Sequence, residues 1–109
     1  MKTWAILACT VLFASALFGQ GYKPMSGYVP DSKTAVRIAE AVLVPVYGEK
    51  RIESERPFSA TLKGGEWTVT GTLRCPDGKG GDTTSCDGGV AEVRISKDDA
   101  RILYMMHAK

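Results

Sequence analysis

The hydrophobic period changes once along this chain, and that change limits the folds open to it. Ala35, Ile38, Ala39, Val42 and Leu43 fall on one stripe of a helix, while Lys33, Arg37 and Glu40 lie off it. From Phe58 onwards the apolar residues recur at every second position, as in strands with one buried face. One amphipathic helix followed by strands predicts an α+β fold: a single helix packed on a four-stranded antiparallel meander.

Local signals set the expected boundaries. Asp31 or Ser32 can cap the helix, Pro45 disfavours helical geometry at Val44, and Tyr47-Gly48 supplies a stop, so the helix is expected from Ser32 to Val44. A first strand runs from Phe58 to Leu62. Lys63-Gly64-Gly65-Glu66 turns the chain into a second strand, Trp67 to Leu73, with Trp67, Val69 and Leu73 inward. Val90 to Ser96 forms a third, with Ala91, Val93 and Ile95 on one face, and Arg101 to His107 a fourth. The fourth is apolar on both sides: Ile102, Tyr104 and Met106 on one, Leu103 and Met105 on the other. A two-layer fold needs only one such face. The second is expected to be covered by the chain preceding the helix, the alternative being a contact surface.

That preceding chain divides in two. Residues 1–19 carry one basic residue, Lys2, then an apolar run through Val11-Leu12-Phe13-Ala14 and small residues at Ala14-Ser15-Ala16 and Gly19, the parts of a secretory signal peptide. The apolar part ends near Phe18, which favours cleavage, after Ala16 or Gly19, over an uncleaved anchor. Cys9 lies too early, with apolar residues continuing behind it, for a lipoprotein signal. Residues 20–29 have no periodicity and read as an extended lead-in; residues 30–109 form the domain. About ninety residues remain after the leader, enough for one small domain. They hold thirteen of the fourteen Lys and Arg and all twelve Asp and Glu, and no basic run exceeds Lys50-Arg51, which argues against a nucleic-acid partner; none is expected. The protein is expected to be periplasmic or secreted, without stable membrane insertion once the leader is cut.

Export gives the cysteines a meaning. Cys75 and Cys86 are the pair left after the leader, and an oxidising compartment favours a disulfide between them. It would close the polar, Gly-rich segment Cys75–Cys86 and stabilise the domain by about 3 kcal/mol in the loop-entropy model. Two cysteines and a distant His107 do not make a metal site, and the spacing of Asp77 and Asp82 lacks the later Glu of a calcium loop. No cofactor is expected. His107, the single histidine, reads as structural or solvated rather than catalytic. Glu49, Glu53, Glu55, Glu66 and Glu92 leave a paired acid/base site open, but no catalytic constellation is visible and the chain is read as non-enzymatic.

Several runs, in order, resemble one bacterial family: Val29-Pro30-Asp31, Ile38-Ala39-Glu40-Ala41, Pro45-Val46-Tyr47-Gly48, Arg56-Pro57-Phe58, Trp67 to Leu73, Gly88-Gly89-Val90-Ala91 and His107-Ala108-Lys109. These resemble the NTF2-fold immunity proteins of bacterial polymorphic toxin systems, also called the YbbC/YhhH family. The resemblance implies a cystatin-like or NTF2-like fold and a protein that binds a toxin domain and blocks it. Two features depart from the family's pattern: the longer cysteine-flanked loop, and Ala100 where a Gly is usual.

Occlusion of a toxin needs a complementary surface with buried anchors. Tyr47, Trp67 and the loop Pro76 to Ser85, with Lys79 and Asp82, are the candidate binding residues; Tyr47 and Trp67 also suit plain core packing. The competing functions are a small-ligand or enzymatic NTF2-like domain using the concave face of the curved sheet, which a polar cavity with convergent carboxylates or His107 would favour, and an inhibitor of a host lysozyme or protease.

Overall fold

The computed structural model describes residues 19–76, 80–83 and 88–108, with the backbone alone for Pro76, Asp82 and Thr83. The leader expected at 1–19 lies almost wholly outside the described residues. Helix α1 spans Ser32–Tyr47 and helix α2 spans Glu49–Ser54. Strands follow as β1 (Ser59–Lys63), β2 (Glu66–Thr70), β3 (Cys75–Pro76), β4 (Asp82–Thr83), β5 (Ala91–Ser96) and β6 (Ile102–His107). The main sheet is antiparallel in the order β1-β2-β5-β6, with α1 across one face; β3 and β4 form a separate two-stranded ribbon. The expected α+β fold, a helix on a four-stranded antiparallel meander, is the fold observed.

Asp31 is the cap that forms: its Oδ1 accepts from Thr34 N at 2.8 Å. That bond holds the Asp31 carboxyl below its ordinary range, since the ionised form is the better acceptor. Ala35, Ala39 and Leu43 turn inward and are fully buried, while Ile38 and Val42 are half-buried beside them. The helix does not end at Val44 as expected but continues through Pro45 to Tyr47. Pro45 and Ala41 both face solvent. The Ala41 carbonyl, which loses its N–H partner to the proline, is therefore open to water, and the helix tolerates the loss. Gly48, at φ 94°, then ends it, donating its N–H to Val44 O at 2.8 Å.

Helix α2 has no counterpart in the sequence reading. Ile52 is the one apolar residue between Glu49 and Glu55, too little for a periodic signal, yet it is fully buried. Arg56 then reaches back from the end of α2 to Glu40 of α1 at 3.0 Å.

The central strands alternate as expected. Trp67 and Val69 of β2, and Ala91, Val93 and Ile95 of β5, are buried against the helix. Gly64 and Gly65, at φ 58° and 74°, make the two-residue turn joining β1 to β2, a left-handed pair that fits the twist of a hairpin. Strand β2 stops at Thr70 rather than Leu73, which lies half-buried beyond the strand.

Two further expectations are corrected at the edges. The lead-in does not cover the second face of β6. It is stitched to the β5–β6 turn, with Tyr28 N and Val29 N donating to Asp98 O and Lys97 O at 3.0 Å each. Val29 enters the core, and Trp67 Nε1 donates to Val29 O at 2.8 Å. Ile102, Leu103 and Tyr104 remain exposed, and Arg94 stacks over the Tyr104 ring at 5.0 Å. A register shift at Arg94/Ile95 pairs Ile95 with Ile102, which breaks the strict alternation read for β6. The segment expected as a loop between Cys75 and Cys86 contains the β3–β4 ribbon, in which Cys75 pairs with Thr83.

Candidate functional site

The chain departs from apolar packing at one end of the main sheet, where β5 begins and β6 ends. Glu55, the residue closing α2, is 7% exposed and is the one buried charged side chain among the described residues. Its Oε1 accepts from Ala91 N at 2.6 Å, and its Oε2 lies 2.8 Å from His107 Nε2. Its backbone carbonyl accepts from Thr72 N at 2.7 Å. One residue thus ties α2 to the start of β5, the end of β6 and the chain leaving β2. A buried carboxylate is costly unless each oxygen is satisfied, and here both are.

His107 is held from three sides. Besides Glu55, its Nδ1 lies 2.7 Å from Ala108 O, and the Tyr47 ring packs against it with centroids 5.3 Å apart. Both ring nitrogens face oxygen acceptors, so the imidazole offers neither to solvent. In this arrangement the pair clamps the end of α2 to the ends of β5 and β6.

Beside the clamp opens a groove of about 710 Å³. Arg51 and Ser54 of α2 form one wall; Thr72, Leu73 and Arg74 form another. Gly88, Gly89, Val90 and Ala108 complete it, next to His107 and Glu55. Gly89 is required here by crowding, since a Cβ at that position would run into the backbone of Ala108. Ser54 Oγ donates to Arg51 O at 2.6 Å and Thr72 Oγ1 to Pro57 O at 2.6 Å, so both hydroxyl protons are used internally. Among the described residues no three His, Cys, Asp or Glu side chains are grouped as a metal site.

The residues singled out in the sequence do not converge. Tyr47 is half-buried beside His107 at the edge of this region. Trp67 is 7% exposed and belongs to the core under the lead-in. Lys79 and Cys86 lie outside the described residues; Asp82 is placed by its backbone in β4, and Cys75 opens β3 at the mouth of the groove. Glu55 and His107 are both visible in the sequence as single titratable residues, with nothing there to join them. They are 52 residues apart, and only the pairing of β5 with β6 brings His107 level with Ala91, the residue that Glu55 also holds.

A helix laid across a four-stranded antiparallel sheet, with a groove at the sheet's end, is a small α+β fold of the NTF2-like kind. The chain belongs to the NTF2 fold immunity protein family, whose sequence profile it matches over residues 34–109. It is also similar to the uncharacterized protein YhhH of Escherichia coli K12, at 27% identity over 108 residues, covering 99% of this chain and 79% of that protein. No solved structure gives a significant match.

Proposed function

We propose that this protein is an exported immunity protein that neutralises a toxin domain by binding and covering it. Membership of the family over residues 34–109 carries the reading. The leader at 1–19 delivers it outside the cytoplasm, and Cys75 and Cys86 are oxidised there to a disulfide beside the groove. The toxin it meets therefore acts in, or passes through, the envelope. Lys79 and Asp82 on the cysteine-flanked segment and Tyr47 beside the groove supply contacts. Trp67, committed to the core, does not.

The test is protection. Cells exporting a cognate toxin, sought among neighbouring genes, survive when the full chain is co-expressed and die when residues 1–19 are deleted. Equal protection by the leaderless form would overturn the export part of the proposal. Sequencing the N-terminus of the recovered protein locates the cut, expected after Ala16 or Gly19, and a mobility change on reduction reports the disulfide.

A second reading has one observation in its favour: a polar groove lined by His107 and Glu55, as a small-ligand or enzymatic domain requires. Saturable binding of a small molecule that Glu55→Gln abolishes without unfolding would support it. Inhibition of a lysozyme or protease by the pure protein would instead support the inhibitor alternative.

A further inference from the structure

The arginines divide into two groups. Arg56 pairs with Glu40 and Glu49, Arg94 with Glu92 and Glu66, and Arg101 with Asp99. Arg37 shares its shallow groove with Glu40. Arg51 and Arg74 alone line the same groove from opposite elements, and among the described residues neither has an ionic partner. The one carboxylate in that groove, Glu55, is turned inward and engaged by Ala91 N and His107. Among the described residues, the two guanidinium groups of the groove are thus left without a free carboxylate to balance them.

We infer that Arg51 and Arg74 form a carboxylate-binding cleft that takes an acidic segment of a protein partner. Its free donors decide the chemistry. Three backbone N–H groups beside it are committed: Ala91 N to Glu55, Thr72 N to Glu55 O, and Ala108 N to Val90 O. With both hydroxyl protons also used, the charged donors open to a ligand are the planar guanidinium forks, which match a carboxylate bidentately. Leu73, Val90 and Ala108 add apolar surface between them, suited to the methylenes of an Asp or Glu side chain and the residues flanking it. The inference rests on the immunity reading only for the partner's identity.

The experiment is an NMR titration of the protein, produced from its full reading frame, with a capped tetraglutamate peptide at low salt. Shifts are expected at Arg51, Thr72, Arg74, Gly89 and Val90 and not along β1. Affinity should fall about ten-fold or more in an Arg51→Glu/Arg74→Glu double variant and by a similar factor in high salt. An Arg51→Gln/Arg74→Gln variant, with an unchanged melting temperature, guards against loss of fold. No shifts, shifts that persist in both variants, or tighter binding of inorganic phosphate at the same residues would each overturn the proposal. A cognate toxin captured equally by wild type and double variant would also overturn it, while leaving the immunity reading intact. Conversely, peptide binding without any toxin partner would support the cleft and count against that reading.

Discussion

Under α1 the two layers meet through carbon alone: Ala35, Ala39 and Leu43 share one cluster with Val69, Val93 and Ile95, all fully buried. At Ala91, where β5 begins, the layers are joined instead by a carboxylate that bridges α2 to β5 and β6. The two regions fail differently. Aliphatic packing loses stability in proportion to the volume removed, and any side chain of similar shape restores it. The clamp depends on matched donors and acceptors, so removing one member strands the others.

The largest expected effect tests the first region. Leu43→Ala should cost about 3 kcal/mol by urea unfolding, from lost burial and the cavity left behind. A loss below 1 kcal/mol would show that the helix can collapse into the space and that the packing is loose. Next, Glu55→Ala should cost about 2 kcal/mol by leaving Ala91 N and His107 without their acceptor. Glu55→Gln, which keeps an oxygen for Ala91 N, should cost about half as much. Equal costs for the two variants would mean that the clamp behaves like the core. A smaller change of opposite sign is expected at Ala100→Gly, which relieves a left-handed φ of 65°. The gain is about 0.5 kcal/mol after the lost methyl contact is counted, read as a rise in Tm. The smallest effect concerns pH. Because folding depresses the Asp31 carboxyl, its stabilisation is complete above the ordinary value of 3.8 and fades as pH falls through the lower folded value. Asp31→Asn keeps the cap but removes this component, so its acid unfolding should be slightly less steep than that of the wild type.

The same contrast explains what could be seen in the sequence. The stripe Ala35 to Leu43, the alternation in β2 and β5 and the Gly64-Gly65 turn are local patterns, and local patterns are written in neighbouring residues. Ala100 is a departure from the pattern that the resemblance implies, and its positive φ is a conformation that favours glycine. The clamp left no such mark. Ile52 is a single apolar residue in a charged stretch, and Glu55 is one carboxylate among several until strand register puts it beside His107. Val29 was likewise hidden, because its burial depends on where a strandless lead-in is stitched rather than on periodicity. Pro45 points the other way in the sequence, yet it lies on the solvent side of α1 and the helix runs on to Tyr47.

Where the lead-in is stitched gives the molecule a direction. Its bonds to Lys97 and Asp98 lie at the β5–β6 turn, while the groove lies at the opposite ends of the same two strands. Whatever holds the protein from upstream, whether a surface or an affinity tag, grips it by the turn and leaves the groove outermost. A fusion placed after Lys109 does the reverse: it emerges beside Ala108, in the groove wall, and stands in the path of anything seeking Arg51 and Arg74. Lead-in and groove are thus opposite poles of one hairpin, and the point of attachment decides which of them faces outward.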